Sequence, residues 1–154
     1  MIKFMLFYFI MIVSLNANLI KVKEDEDKTI RARALILNKK IENLKNLSEV
    51  EKLQNVNSII NNAVKYSSDD KLYNKKNYVA TINEMLRVDL KGDCEDYVIA
   101  KYFALKHLGV PTSKMFLSYV RIDGEKDAHM VLTYFETPSS EPLILDSIRK
   151  IIFP

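Results

Sequence analysis

The sequence predicts an α+β domain, because helical and strand-like patterns occupy different parts of the chain. Apolar residues recur every three or four positions through much of the first half, and another helical pattern follows residue 93. Short strand-like runs separated by turn residues then occupy the last third. Helices followed by a meander of strands predict helices packed on an antiparallel sheet.

The composition limits the class of protein and the kinds of partner that it can bind. The chain has 154 residues, 48% hydrophobic and 28% charged, as in one ordinary globular domain. Its 23 Lys and Arg against 20 Asp and Glu leave a net charge of +3, too small and too scattered to predict nucleic acid as a partner. The single cysteine excludes an internal disulfide and a cysteine-rich zinc site.

Residues 1–17 have the pattern of a secretory signal peptide. A short basic start precedes the apolar run Phe4–Val13, and small or polar residues lead to a cleavage site after Ala17. The run is well short of the roughly 20 residues that a transmembrane helix needs. Leu15 is larger than the residue usually found three positions before a signal-peptide cleavage site. The alternatives are therefore cleavage at a different position and retention of the segment as a membrane anchor. Residues 18–154 are expected to form one domain that works outside the cytoplasm.

Two amphipathic helices are expected between Asp27 and Ser67. Asn46–Ser48 interrupts the pattern, and Ser48 with Glu51 forms a capping-box signature that opens the second helix. The apolar positions predict the buried face of a helical hairpin: Ile30, Ala34, Leu37, Ile41 and Leu44, then Val50, Leu53, Val56, Ile59, Ile60 and Ala63. Beyond the hairpin, the polar segment Ser67–Asn77 predicts a surface loop, and a short helix is expected around Ile82–Arg87.

A longer helix is expected to begin after Asp93, a favourable N-cap, and to end at Gly109, with Pro111 just beyond. Cys94 therefore lies on the first helical turn. Unpaired backbone N–H groups and the positive end of the helix dipole favour a thiolate there. A nucleophilic cysteine also requires a histidine partner, which a third group orients.

The strand-like runs follow this helix. Met115–Ile122 and His129–Phe135 predict two strands joined by a turn at Asp123-Gly124, and Pro138–Pro142 predicts a second turn. Leu143–Leu145 then starts a third strand.

Two histidines are candidates for the partner of the thiol. His107 lies near the far end of the helix that begins at Cys94, more than three turns away, and cannot reach it. His129 opens the second strand and Asp146 ends the third, so neighbouring antiparallel strands can bring these two side chains together. Singly, each residue has an ordinary structural explanation, such as core packing or turn formation. Together, in this order, they predict a catalytic site.

Three carboxylates, those of Asp93, Glu95 and Asp96, flank Cys94 and oppose thiolate formation. Acids at a helix N-terminus can simply complement its dipole, contributing roughly 0.3–1 kcal/mol each. That explanation accounts for one or two of them, whereas three beside a reactive thiol predict a neutralising cation. Oxygen ligands favour calcium or magnesium over zinc, and calcium tolerates irregular geometry best.

Five short stretches carry a resemblance to a known family: Tyr78-Val79-Ala80-Thr81, Gly92-Asp93-Cys94-Glu95-Asp96-Tyr97, Ile99-Ala100-Lys101-Tyr102-Phe103, His129-Met130-Val131-Leu132 and Leu145-Asp146-Ser147. The chain from about Val56 to Asp146 resembles the bacterial transglutaminase-like cysteine proteinases, whose best-known members are the LapG-type periplasmic proteases. The resemblance implies a papain/transglutaminase-like α+β fold. It also implies Cys94 as nucleophile, His129 as general base and Asp146 as the carboxylate that orients the base.

The resemblance further implies a metal, a substrate and a partner. Calcium is expected on Asp93 and Glu95, with Asp96 as a further ligand. The implied activity is periplasmic cleavage of the N-terminal region of a large cell-surface adhesin, which releases the cell from a biofilm. The implied partner is the periplasmic domain of a membrane receptor for cyclic-di-GMP, which sequesters the protease.

The sequence departs from the family at two places. It has no Trp, although the family usually has one before the Ala-Thr pair. The family also continues well past the aspartate, whereas this sequence ends at Pro154, so an apolar sheet edge is expected around Ile148, Ile151, Ile152 and Phe153. The alternative functions are a catalytically inactive relative that only binds adhesin or receptor, and an acyltransferase, because cleavage and transfer pass through the same thioester.

Overall fold

The computed structural model describes residues 18–124, 128–149 and 151–154. The predicted signal peptide, residues 1–17, lies outside the described residues and stays a prediction. No helix within the described ranges is both long and apolar enough to cross a bilayer. The elements in chain order are α1 (Lys28–Glu42), α2 (Glu49–Ala63), β1 (Lys65–Tyr66), α3 (Asp69–Tyr73), α4 (Ile82–Arg87), β2 (Lys91–Gly92), α5 (Cys94–His107), a 3₁₀ turn (Thr112–Lys114), β3 (Met115–Arg121), β4 (Ala128–Tyr134) and β5 (Leu143–Leu145).

The two predicted amphipathic helices form α1 and α2, and the predicted cap opens the second. The Glu51 carboxylate accepts the backbone N–H of Ser48 at 3.0 Å, and the Ser48 hydroxyl accepts the backbone N–H of Glu51 at 3.4 Å. The prediction that Val50 is buried is wrong, since its side chain is 50% exposed. It lies at the edge of the apolar stripe that is centred on Leu53 and Ile60.

The segment Ser67–Asn77, predicted as a loop, contains a helix instead, α3. Ser68 occupies the N-cap position, and acids in the first turn complement the helix dipole. Asp69 is only 4% exposed, and its Oδ2 accepts the backbone N–H of Tyr78 at 2.6 Å. A single turn of helix has too little periodicity to be recognised in a polar sequence.

A small parallel pair joins the helical hairpin to the start of α5. β1 pairs with β2, so that Lys65 lies opposite Lys91 and Tyr66 opposite Gly92. Each strand has two residues, too short for any alternation to appear in the sequence. The pair brings the chain that follows α2 alongside the residues that lead into the cysteine helix.

The predicted meander forms the main sheet, with β4 between β3 and β5. Both pairings are antiparallel, and Leu132 of β4 lies opposite Leu117 on one side and Leu145 on the other. The predicted boundaries of β3 and β4 differ from the observed ones by one residue. α5 contacts both α2 and β4, which places it between the helical hairpin and the sheet.

The C-terminal residues return to the edge of this sheet. Phe153 forms an antiparallel bridge with Ile144 of β5, and its carbonyl accepts the Ile144 N–H at 2.7 Å. Of the residues expected at an apolar edge, Ile148 and Ile151 are about 70% exposed (69% and 72%), whereas Ile152 and Phe153 are partly buried.

Candidate active site

Cys94 is the first residue of α5, at the place that the sequence predicted. The Asp96 carboxylate reaches back to accept the backbone N–H of Asp93 at 3.1 Å, which closes the first turn of the helix. Gly92 permits this closure, because a Cβ atom there would lie 2.5 Å from Asp96 Oδ2. The half-buried thiol is therefore held at a tightly built helix N-terminus.

His129 and Asp146 are brought together by the register of β4 and β5. His129 Nε2 lies 2.8 Å from Asp146 Oδ1, and both side chains are largely buried. The same Oδ1 accepts the backbone N–H of Ile148 at 3.0 Å. Asn61 of α2 donates to the Asp146 backbone carbonyl at 2.7 Å, which fixes the end of β5. Because Nε2 is occupied by the carboxylate, Nδ1 is the nitrogen of His129 that remains for another partner.

Cys94 and His129 line one cavity of about 520 Å³. A hydrogen bond from the backbone of Met130, the residue after His129, also acts on the Cys94 sulfur. The helix N-terminus and the start of β4 therefore meet at the thiol. The remaining lining residues are mostly apolar or aromatic: Tyr66, Tyr97, Ile122, Ala128, Ser147 and Ile148.

The thiol of Cys94 is held in its protonated form. Burial raises the pKa of Cys94 to about 12, and a hydrogen bond to the Glu95 carboxylate contributes in the same direction. The distance from Cys94 Sγ to Glu95 Oε2 is 2.8 Å. Burial raises the pKa of Glu95, but hydrogen bonds from Cys94 and Asp93 outweigh it and hold the pKa below its ordinary value.

The three acids predicted as ligands do not form one group. Asp93 and Glu95 cluster with the Cys94 sulfur, whereas Asp93 and Asp96 cluster with Asp69 of α3. Within each cluster, one ligand atom per residue lies within 4.8 Å of the others. Asp93 therefore belongs to both clusters, whereas Glu95 and Asp96 each belong to one.

Burial of this acidic cluster raises two pKa values. Burial and a hydrogen bond with Glu95 raise the pKa of Asp93 to about 8. Burial raises the pKa of Asp96 to about 6, against hydrogen bonds from the backbone of Ala80 and Asp93. The neighbouring carboxylates act in the same direction, since Glu95 and Asp69 each raise the pKa of both Asp93 and Asp96.

The donor set fits a hard divalent cation. The Oδ1 atoms of Asp69 and Asp93 are both buried without a hydrogen-bond partner among the described residues. A carboxylate oxygen buried without a partner is unfavourable, and a cation that prefers oxygen ligands would satisfy both atoms. Asp69 is the residue that sequence analysis missed, since it lies in a polar segment with no local pattern to distinguish it.

His107 lies away from this site, as the sequence predicted. The Nε2 atom of its ring forms a hydrogen bond with Glu42 of α1, at the opposite end of α5 from the cysteine.

The structure brings the three predicted catalytic residues close together. Cys94 and His129 line the same cavity, and Asp146 bonds His129. Their catalytic roles stay predictions at this stage.

Comparisons with known proteins identify the family of this chain. Residues 24–154 match the family model of the bacterial transglutaminase-like cysteine proteinases. Among curated proteins, none matches significantly. Among solved structures, LapG of Legionella pneumophila is 36% identical with a TM-score of 0.73, and the match covers 82% of this chain and 69% of that one.

Two further structures of the same Legionella protein match equally well, one EGTA-treated and one calcium-bound. Both are 36% identical with a TM-score of 0.73 over 82% of this chain, and the match covers 67% and 69% of the respective LapG chains. The family match extends over most of the sequence, and the solved structures share its transglutaminase-like α+β fold. The chain belongs to the bacterial transglutaminase-like cysteine proteinases.

Proposed function

We propose that this protein is a periplasmic, calcium-dependent cysteine endopeptidase with Cys94 as its nucleophile, His129 as its general base and Asp146 as the carboxylate that orients the base. One observation carries the proposal. Cys94 and His129 line the same cavity, and Asp146 occupies Nε2 of the histidine, which leaves Nδ1 for the thiol. Membership of the proteinase family supports it.

These residues account for each proton transfer of peptide hydrolysis. His129 accepts the thiol proton, and the Cys94 sulfur attacks the carbonyl carbon of the scissile bond. In this mechanism, the backbone N–H of Cys94 at the helix N-terminus donates a hydrogen bond to the resulting oxyanion. His129 then protonates the leaving amine to form a thioester, and next activates the water that hydrolyses it. Asp146 stabilises the imidazolium throughout.

The acidic cluster explains why a cation is required. Burial and Glu95 hold the thiol protonated, so the proton transfer to His129 is unfavourable while the carboxylate charge is uncompensated. A divalent cation would supply positive charge that offsets these carboxylates. The residues that would hold it are Asp69, Asp93 and Asp96, which form one cluster, and Glu95 adjoins them through the cluster that it shares with Asp93. Oxygen donors at irregular positions favour calcium.

The substrate, partner and compartment of this proposal come from the family resemblance. The substrate is the N-terminal region of a large cell-surface adhesin, and its cleavage releases the adhesin and promotes biofilm dispersal. The periplasmic domain of a cyclic-di-GMP receptor is the proposed partner that sequesters the enzyme. The signal-peptide pattern of residues 1–17 supports a periplasmic location.

The test is cleavage of an adhesin N-terminal fragment by the purified protein, followed by electrophoresis and mass spectrometry. Wild type is expected to cut, and Cys94→Ala is not. EGTA is expected to abolish cleavage, and added calcium to restore it. His107→Ala is the matched control, because this histidine is bonded to Glu42 away from the site and its loss is expected to leave cleavage unchanged.

Other outcomes would assign the alternative functions. Binding of the fragment without cleavage in the presence of calcium would identify a binding module instead. Formation of an amide with an added primary amine, in place of the free carboxylate, would identify an acyltransferase, because the amine and water compete for the same thioester.

A further inference from the structure

The segment that follows β5 is held by amide side chains of α2. Gln54, Asn57 and Asn61 are spaced three and four residues apart, so they lie on one face of the helix. Gln54 Oε1 accepts the backbone N–H of Ile152 at 3.1 Å, and Asn57 Nδ2 donates to the carbonyl of Arg149 at 3.0 Å. This face of α2 therefore binds the chain after β5 at several points.

Asn61 contacts the end of this segment that belongs to the candidate site. Its Nδ2 donates to the backbone carbonyl of Asp146 at 2.7 Å and to that of Arg149 at 2.9 Å. The two carbonyls are three residues apart, so one amide group holds both ends of the turn between them. Asn61 Oδ1 is buried without a hydrogen-bond partner among the described residues, which is unfavourable. The two donor contacts, rather than packing, therefore explain an asparagine at this position.

The side chain of Asp146 closes the same turn from within. Its Oδ1 accepts the backbone N–H of Ile148 at 3.0 Å and lies 2.8 Å from Nε2 of His129. The pairing of β4 with β5 ends at Leu145, so Asp146 lies just beyond the ladder. The position of Oδ1 relative to the imidazole therefore depends on the backbone of the turn, which Asn61 holds. A small displacement of a catalytic group can lower turnover strongly, because its alignment with the reacting atoms is lost.

We propose that Asn61 is a positioning residue that holds the turn after β5 so that the Asp146 carboxylate stays aligned on Nε2 of His129. This inference rests on the proposed function, because the alignment affects turnover only if His129 is the general base. The carboxylate accepts the proton on Nε2 and thereby leaves Nδ1 free to take the thiol proton. The ring nitrogen that carries the proton therefore reports the alignment, whether or not the protein cleaves peptides.

The test is Asn61→Leu, which keeps the approximate volume of the side chain and removes both donors. Long-range ¹H–¹⁵N NMR spectra at pH 8 in EGTA, in which the Cys94 thiol stays protonated, show which ring nitrogen carries the proton. Wild-type His129 is expected to carry it on Nε2, and Asn61→Leu should give a mixture of both tautomers, as should Asp146→Asn. The chain has two histidines, so the ring of His107, which lies away from the site, is the internal reference.

Steady-state kinetics with calcium and the adhesin fragment provides a second readout. Asn61→Leu is expected to lower kcat roughly tenfold and to change KM much less. Gln54→Met removes a contact from the same helix face to the same segment but outside the turn, so kcat should be unchanged. Asn62→Leu, at the exposed neighbouring residue, is the matched control for the substitution itself.

A purely structural role of Asn61 predicts different results. An unchanged ring tautomer in Asn61→Leu, a loss confined to KM, or an equal loss of kcat in Gln54→Met would each overturn the inference. Asn61→Asp is the second variant, which has nearly the same shape but cannot donate, and it should behave as Asn61→Leu does. If neither variant folds, as judged by circular dichroism, Asn61 is a structural residue and the proposal is wrong.

The ring tautomer separates this inference from the proposed function. A wild type without turnover overturns the proposed function, and the NMR comparison of wild type with Asn61→Leu then decides the inference alone. If the wild type cleaves the fragment but His129 has the same tautomer in both proteins, the inference is wrong and the proposed function stands.

Discussion

The Cys94 thiol donates a hydrogen bond to the carboxylate of the next residue, Glu95, with Sγ 2.8 Å from Oε2. A negative charge at this distance favours the thiol over the thiolate and counteracts the helix N-terminus on which the cysteine lies. In the proposed mechanism, this arrangement keeps Cys94 unreactive until a cation compensates the charge of the neighbouring acids. It links the candidate metal ligands directly to the chemistry of the sulfur.

Removal of this charge is expected to make the thiol more reactive without calcium. In Glu95→Gln with EGTA, the pKa of Cys94 should fall from about 12, and each unit of decrease raises the thiolate fraction about tenfold. The rate of alkylation by iodoacetamide at pH 8 measures this fraction. Glu141→Gln, at an exposed acid, is the control. Equal rates for Glu95→Gln and wild type would show that burial alone sets the pKa.

Substitution of Asp69 is expected to weaken calcium binding. Asp69→Asn removes a buried carboxylate whose Oδ1 has no hydrogen-bond partner among the described residues, and the affinity should fall roughly 10- to 100-fold. Isothermal titration calorimetry on the folded variant measures it. Asp70→Asn, at the exposed neighbouring acid, should bind as wild type does. An undiminished affinity in Asp69→Asn would limit the ligands to the acids around Cys94.

Substitutions of the two histidines are expected to have very different effects on activity. His129→Ala should lower kcat/KM roughly 10²- to 10⁴-fold, because the general base is lost. His107→Ala removes the hydrogen bond with Glu42, worth about 0.5–1.5 kcal/mol of stability, and should keep its activity. Peptide cleavage and thermal melts of both variants provide the comparison. Substantial cleavage by His129→Ala would exclude the proposed mechanism.

Asp146→Asn should lose activity, but less than Cys94→Ala. The carboxylate orients His129 and stabilises its charge, whereas the sulfur forms the bond to the substrate. Steady-state kinetics of the two variants at equal protein concentration measures the difference. If Asp146→Asn were as active as wild type, the hydrogen bond between His129 and Asp146 would be structural only.

Lys101 is expected to make stability depend on pH above neutrality. Burial lowers its pKa in the folded state from 10.5 to about 7, so between these values the unfolded chain binds a proton that the folded chain does not. The free energy of unfolding should therefore rise with pH from about 7 to about 10, by a few kcal/mol in total. Urea unfolding of wild type and Lys101→Met at pH 7, 8 and 9 measures it. A constant difference between the two proteins across this range would contradict the expectation.

Local signals predicted the helices and strands well. The capping box of Ser48 and Glu51 opens α2, the short helix Ile82–Arg87 has its predicted bounds, and Leu143–Leu145 is a strand as expected. Each of these depends on residues within one or two helical turns or on a short apolar run bounded by a turn. The helix α3 and the two-residue strands β1 and β2 were missed, because they are stabilised by contacts with distant parts of the chain.

Within the site, the sequence predicted the candidate cysteine, histidine and aspartate but not the grouping of the acids. Glu95 and Asp96 are neighbours on α5 and point roughly 100° apart around the helix axis. One therefore faces the thiol, and the other faces the buried Asp69 of α3. No pattern of spacing indicates that Asp69 lies there.

The sequence by itself determined the order of helices and strands, the placement of Cys94 at a helix N-terminus and the identity of the histidine that can reach it, because these follow from short-range periodicity and helix length. Only the tertiary structure decided which carboxylate faces the sulfur, which acid joins the cluster from α3, and that Lys101 is buried in the core. The physical reason is that burial and charge interactions depend on distances between segments far apart in the chain, and the strength of each interaction is set by how completely the packed core excludes water.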